Sequence, residues 1–270
     1  MQVLIINLAR STERLAFQQK QFARLGLSFQ RLDAVSVDEI SEEAYQRLGF
    51  GWQRPLRKVE VACFLSHQKA WETVVRANAP ALILEDDAVL ASHVPQLLED
   101  IEHHNFKDID LINFEVRSRK KIISKTPVYS FANSQTNLFE LYQDRTGAAC
   151  YILYPSGAQK LLDKLEISAP AIADGFIFSH YSLNSLQAEP AAVIQEDQLA
   201  AYGLVPEEQF ESVIGRSEHF KPEYESIVEK LSFKKRRLMG QLVMAIRYMQ
   251  VIGKAEKRFI ALEKDRFKQD

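Results

Sequence analysis

The chain opens on a short apolar run, Val3 to Leu8, rich in branched side chains and without alternation. That pattern predicts a strand covered on both faces, as in a parallel sheet. Arg10 to Leu25 carries helical spacing, with Leu15, Phe22 and Leu25 on one side and Gly26 as the stop. LSFQRLDAV reads as a second strand. Residues 37 to 57 show no period and hold Pro55 and two glycines, so they are expected to be irregular. A helical pattern returns from Glu60 to Ala77, bounded by Asn78 and Pro80, and Ala81 to Leu84 reads as a strand. Leu97 to His103 predicts a helix, and Asp110 to Phe114 and Ala148 to Tyr154 predict strands. Pro155 to Leu165 predicts a helix with proline at its start. The polar residues 118 to 140 are expected to form a loop or hairpin excursion.

Strands alternating with helices imply βαβ units and a mostly parallel sheet flanked by helices. The expected division is a catalytic α/β domain over residues 1–200 and a helical, basic C-terminal extension over 201–270. In such sheets ligands bind beyond the carboxyl ends of the strands. Two segments stand there: Asn7 to Arg14 after the first strand, and Glu85-Asp86-Asp87 after ALIL.

Composition changes this picture little until charge is followed along the chain. The formal net charge is −2 over 270 residues, which names no partner. From Phe233 onward, however, eleven Lys and Arg face four acids. Within that tail Leu238, Leu242, Ile246 and Met249 recur at helical spacing. The tail therefore reads either as a terminal helix packed on the body or a second subunit, or as a helix lying on an anionic membrane surface through residues 233–269. It has no basic–aromatic pattern of a nucleic-acid module, so no nucleic acid is expected. Cys63 and Cys150 form no CxxC pair and have apolar neighbours, which reads as buried thiols in a reducing compartment. The N-terminus lacks the features of a signal peptide, and no apolar stretch reaches about eighteen residues. A cytoplasmic protein is expected, peripheral on the inner face of the cytoplasmic membrane if the tail binds lipid.

The acidic triplet is the main chemical signal. It can be a solvated patch, an acid/base pair, or a site for a hard divalent cation that bridges a substrate diphosphate. Its place at the end of an apolar strand favours a cation or substrate role. Alternation in an extended segment puts Glu85 and Asp87 on one face and Asp86 on the other.

The segments around the triplet carry a resemblance. VLIINLARSTERL is similar to I-N-L-x-R-x-x-x-R, through Ile6, Asn7, Leu8, Arg10 and Arg14. VEVACFLSHQKAWETVV is similar to G-E-x-G-C-x-x-S-H-x-x-x-W, through Glu60, Cys63, Ser66, His67 and Trp71, with Val59 and Ala62 standing where glycines are expected. LILEDDAVL is the third segment. RTGAACYILYPSGAQKLL supplies Thr146, Gly147, Tyr151, Gly157 and Ala158. IADGFIF follows with Asp174, its expected proline displaced to Pro170, and AEPAAVIQ closes the series. In this order and spacing the chain resembles glycosyltransferase family 25, which includes bacterial lipooligosaccharide galactosyltransferases and collagen hydroxylysine galactosyltransferases.

The resemblance implies a GT-A type, Rossmann-like fold. It implies inverting transfer of a hexose, usually galactose from UDP-galactose, to a hydroxyl of a lipid-linked oligosaccharide. UDP-glucose and UDP-N-acetylhexosamine remain alternative donors. A metal-dependent phosphohydrolase and a non-catalytic nucleotide- or glycan-binding protein remain alternative functions. The leaving diphosphate calls for positive charge, supplied by Mn²⁺, or alternatively Mg²⁺, on Asp87 and Glu85, and by Arg10 or Arg14. Asp174 is the expected general base, with a helix N-cap as its plain alternative. Asp86 is expected to hold the ribose or a metal-bound water at the catalytic centre. Asn7, Leu8, Arg10, Arg14, Ser66, His67, Glu85, Asp86, Thr146 and Gly147 are the expected donor contacts. For His67 the plain reading is a satisfied core residue, for Arg14 a solvated helix charge, and for Gly147 a turn. Glu60 could pair with an arginine. Gln195, Glu196 and Asp197 read as a solvated loop or as further reach toward the metal.

Overall fold

The computed structural model describes residues 1–205, 224 and 226–268. Residues 206–223, 225, 269 and 270, part of the expected C-terminal extension, lie outside the described residues. In chain order the elements are β1 (Gln2–Asn7), α1 (Thr12–Arg24), β2 (Gln30–Asp33), α2 (Glu42–Gly49), α3 (Lys58–Ala77), β3 (Ala81–Glu85), β4 (Ala88–Leu90) and α4 (Val94–His104). There follow β5 (Leu111–Asn113), β6 (Glu115–Val116), β7 (Lys121–Ser124), β8 (Tyr129–Phe131), β9 (Thr136–Gln143), β10 (Cys150–Leu153) and α5 (Pro155–Ile167). The last are α6 (Ala173–Phe178), β11 (Ser185–Glu189), β12 (Val193–Gln195), α7 (Ile227–Val251) and β13 (Ala255–Arg258).

The main sheet runs β13-β7-β9-β11-β5-β10-β3-β1-β2, with β8 on the side of β9. β1 pairs in parallel with β2 and β3, and β5 with β11. β10 enters antiparallel between β3 and β5. The apolar runs are long because both faces of this sheet are covered. Leu4 and Ile83 on one face pack with Trp71, Val74 and Leu161 of α3 and α5. Ile5, Leu82 and Leu84 on the other pack with Phe22, Leu97 and Ile101 of α1 and α4. Each such aliphatic side chain, fully buried, contributes about 1.5–3 kcal/mol. The expected α/β sheet flanked by helices, with a C-terminal helix, is therefore what the chain forms.

A second sheet, β4-β12-β6, decides the site. Its register sets Gln195 of β12 opposite Ala88, immediately after the acidic triplet. In the main sheet, Ile6 of β1 lies opposite Glu85. The carboxyl ends of β1, β3 and β12 thus meet.

Two segments depart from the expected pattern, and a third takes one of its two alternatives. Residues 37–57 are not all irregular: α2 forms there, its Ser41 Oγ accepting from Ala44 N at 3.1 Å. Only two turns long, it buries little beyond Tyr45 and Leu48 against Leu56 and Val61, too few positions to show a period. The 118–140 excursion takes its hairpin alternative rather than a loop: β7 and β8 each pair antiparallel with β9, which joins the main sheet through β11. The C-terminal segment is not helix alone, because Ala255–Arg258 adds edge strand β13 to β7. Charged side chains are usual on an edge strand, so Ala-Glu-Lys-Arg gave no alternating signal.

Candidate functional site

A cleft opens at the strand ends and is lined by Leu8, Arg10, Arg14, Cys63, Ser66, Glu85, Asp86 and Asp87. α1 clamps the turn that carries the triplet. Gln18 Nε2 donates to the carbonyls of Asp86 and Ala88 at 3.0 and 2.8 Å, and Gln21 Oε1 accepts from Leu90 N at 2.7 Å. Neither glutamine carried a signal in the sequence beyond lying on the helix that follows β1.

The turn splits the triplet. Asp86 faces β1 and α1: its Oδ2 accepts from Asn7 Nδ2 at 2.8 Å, and its Oδ1 from Arg14 at 2.8 Å. Burial pushes the Asp86 carboxyl up, against the pull of Arg14 and Asn7. Glu85 and Asp87 face the other way and converge on one amide. Gln195 Nε2 donates to Glu85 Oε2 at 3.2 Å and to Asp87 Oδ1 at 3.5 Å. Burial, and then the Glu85 charge, push the Asp87 carboxyl up to about 8. Two carboxylates meeting in low dielectric repel unless a proton or cation intervenes. This oxygen-only pair fits a hard divalent ion.

Glu85 is oriented by a chain of buried groups. The indole nitrogen of Trp71 can only donate, and does so to Tyr151 Oη at 2.9 Å. The Tyr151 hydroxyl proton has one acceptor among the described residues, His67 Nδ1, 2.9 Å away, and the tautomer that satisfies it accepts there. That leaves the His67 proton on Nε2, facing Glu85 Oε1 at 3.1 Å. His67, Trp71 and Tyr151 are fully buried. His67 is thus a satisfied core residue that also touches the site. Cys63 completes a trio with His67 and Glu85 whose ligand atoms all lie within 4.8 Å of one another. The imidazole presents a proton to it rather than a lone pair, and burial pushes the Cys63 thiol up. The Glu85–Asp87 pair is the better cation holder.

Asp174 lies in the first turn of α6, where Ile172 is the N-cap, so it does not cap the helix. Its carboxyl accepts no hydrogen bond from any described residue. Burial, then the charges of Glu85 and Asp144, push it up to about 7, while Arg117 pulls the other way.

The other expected contacts divide. Arg10 stands at the rim, within 3.3 Å of Ser36 Oγ and Asp38. Ser66 is on the wall, with its hydroxyl already used by Val35 N and Ala62 O. Glu60 is paired with Arg54 at 2.7 and 2.8 Å. Thr146 and Gly147 are not brought to the cleft. Thr146 bonds Asp144 Oδ1, and Gly147, at φ 118°, accepts from Asn113 Nδ2 at 3.0 Å. A Cβ at Gly147 would stand 2.3 Å from that nitrogen, so the positive φ and the close approach of Asn113 call for glycine there.

Behind the cleft lies a polar layer in which the sequence pointed to Gln195 and Asp197 but not to Lys121, Glu115 or Arg117. Lys121 Nζ, buried, meets Asp144 at 2.6 Å, Gln187 Oε1 at 2.7 Å and the Glu115 carbonyl at 2.9 Å. Glu115 Oε2 accepts from Ala149 N at 2.9 Å, and burial and Asp174 hold its carboxyl well above the usual range. Arg117 reaches Gln195 Oε1 and Asp197, the latter at 2.8 Å, and so aims the Gln195 amide at the carboxylates. For Glu115 a signal existed: LINFE ends in a polar residue, as ALILE and AAVIQ do.

Comparison with known sequences gives this site a family. The profile of glycosyltransferase family 25 (LPS biosynthesis protein) matches residues 1–177. Lacto-N-neotetraose biosynthesis glycosyltransferase LgtE of Neisseria gonorrhoeae is 28% identical over 216 residues, 75% of this chain and 76% of that one. LgtB of Neisseria meningitidis serogroup B is also 28% identical, over 75% and 78% of the two chains. The lipooligosaccharide biosynthesis protein lic2B of Haemophilus influenzae is 22% identical over 72% and 76%. All of the triplet, His67 and Asp174 fall inside the matched segment, and the chain belongs to glycosyltransferase family 25.

Proposed function

We propose that this glycosyltransferase moves galactose from UDP-galactose, with inversion, to a hydroxyl of a lipid-linked oligosaccharide in lipooligosaccharide assembly. The observation that carries the mechanism is the convergence of Glu85 and Asp87 on one amide, with Asp174 in electrostatic contact with Glu85. The choice of galactose rests on the resemblance to the bacterial galactosyltransferases of the family.

Glu85 and Asp87 would hold the divalent cation, Mn²⁺ or Mg²⁺. When bound, it supplies positive charge to the leaving diphosphate. Asn7 and Arg14 fix Asp86 on the wall of the donor cleft, and Arg10 adds charge at its rim. Asp174, ionised, takes the proton of the acceptor hydroxyl as its oxygen bonds to the sugar C1. The C1–O bond to the diphosphate breaks in the same displacement, and UDP departs. One such step inverts the anomeric centre and needs no covalent enzyme intermediate. The outward face of α7 is proposed to rest on anionic lipid, which brings the enzyme to a membrane-anchored acceptor.

The test is transfer of labelled sugar from UDP-galactose, UDP-glucose and UDP-N-acetylglucosamine, with Mn²⁺ and with chelator. Galactose transfer should dominate and need the cation. Asp174→Asn should lower kcat by about 10²–10⁴-fold with donor binding retained. Full transfer by Asp174→Asn would refute the assigned base. Steady phosphate release without sugar transfer would favour the phosphohydrolase instead.

A further inference from the structure

A second cavity, of about 500 Å³, lies between α6, the Trp52–Arg54 segment and the inner side of α7. We propose that it is the acceptor site and that it takes an oligosaccharide bearing anionic groups, phosphate or carboxylate. The assignment rests on the transferase reading above for the reaction, and on the cavity's own chemistry for the ligand class.

Position comes first. Gly175, the residue after Asp174, lines this cavity, and so does Asp144, whose charge Asp174 feels. Asp174 also feels the charge of Glu85, which lines the donor cleft. Two openings thus lie near the base, this one beginning a single residue from it. One carries the carboxylate pair suited to a cation and diphosphate. The other must receive whatever loses a proton to Asp174.

Charge names the ligand class. Arg54, Arg119, Arg145 and Arg237 line the cavity, and Asp144 is its one acid among the described residues. Asp144 is already paired with Lys121 at 2.6 Å, and Arg54 with Glu60. No described carboxylate pairs with Arg119, Arg145 or Arg237, and all three are exposed. Unpaired guanidinium groups lining one cavity attract an anion, and their planar forks match phosphate and carboxylate oxygens. Trp52 and Tyr181 add aromatic rings, which suit the C–H faces of a sugar, and Gln53, Ser179 and Gln241 add hydrogen-bonding groups.

The wall is built, not incidental. Arg236 donates to the carbonyls of Phe50 and Trp52, both at 2.7 Å, tying α7 to the loop that carries the aromatic ring.

The test uses calorimetry on the full chain, with two probes measured separately. One is UDP with Mn²⁺. The other is the oligosaccharide of deacylated lipopolysaccharide, intact, dephosphorylated, or carboxyl-reduced. The intact oligosaccharide should bind about tenfold or more tightly than at least one neutralised form, and its affinity should fall with added salt. The triple variant Arg119→Gln, Arg145→Gln, Arg237→Gln should lose that preference and keep the UDP affinity of the wild type, which also shows that it folds. Equal binding of all three oligosaccharides by the wild type overturns the inference, as does a triple variant that keeps the preference or loses UDP instead. If UDP fails to bind the wild type while the anionic preference holds, the donor reading falls and the cleft assignment stands.

Discussion

At the scale of single residues, the site is a set of carboxylates kept apart by what each one faces. Asp87 gives the sharpest consequence. Its carboxyl is raised in the folded chain, from about 4 in an unfolded one to about 8. A raised carboxyl stabilises the fold fully below the unfolded value, and that stability is lost as pH rises through the folded one. The cation-free protein should therefore lose thermal stability between about pH 4 and pH 8, and Mn²⁺ should restore it at the alkaline end. Asp87→Asn should melt higher than wild type near pH 8 without metal, match it near pH 4, and gain nothing from Mn²⁺. Calorimetric melting at the two pH values decides this, and an Asp87→Asn protein less stable at pH 8 would refute it. His67 supports a second expectation. Replacing it with Leu strands the Tyr151 hydroxyl, at about 1–3 kcal/mol, and frees Glu85 to turn. Mn²⁺ affinity should fall about 10–100-fold, as for other lost partners of metal-binding groups, while Cys63→Ser should leave it near wild type. Metal titration of the two variants separates the relay from a direct ligand role for Cys63. The triplet and Asp174 were legible because strand ends and a resemblance marked them. Gln18, Gln21 and Glu115 were not, because their partners lie far along the chain and only the fold brings them near.

At the scale of elements, legibility followed length and burial. β1, β3, α3 and α5 are long or apolar enough to declare their period, and the first three line the cleft. α2 and β13 are short and half-covered, and their stability comes from neighbours that the local sequence does not name. Thr146 and Gly147 illustrate a different limit. Their pattern marks a backbone need, which a motif cannot distinguish from ligand contact. Gly157 shows the same kind of need where α5 crosses β5. A Cβ on it would meet the Asp110 carbonyl at 2.4 Å, and backbone cannot swing aside as a side chain can. Gly157→Ala should push α5 from the sheet and lower stability by about 1–3 kcal/mol, despite alanine's better helix propensity. Denaturant unfolding tests the sign: a variant as stable as wild type would mean that the helix has room to shift.

At the scale of the whole molecule, the two ends of the chain play opposite parts. The body buries its apolar faces, whereas α7 turns one outward. Only Phe233 and Val251 of its 25 residues are buried. Ile227, Leu231, Leu238, Leu242, Met249 and Ile252 are exposed, and at 100° per residue they fall within one third of the helix circumference. Lys234 and Lys235 flank this stripe, and Glu229, the one acid of α7, lies on the side turned to the body. An apolar stripe edged by lysines suits the interface of an anionic bilayer, where carbon chains enter and ammonium groups meet phosphates. The tertiary contacts already made by Arg236 and by the Met244 carbonyl lie on the opposite side, so lipid binding would not require the helix to leave the body. Vesicles containing phosphatidylglycerol should therefore sediment the protein, and phosphatidylcholine vesicles should do so weakly. Leu238→Glu with Leu242→Glu should abolish sedimentation, because two charges would have to enter the apolar zone. Lys234→Gln with Lys235→Gln should weaken it by about 30-fold, at about 1 kcal/mol for each lysine. If the stripe instead joins two copies of the chain, the glutamate pair will halve the mass in solution and leave vesicle binding unchanged, and the membrane assignment of α7 is then wrong.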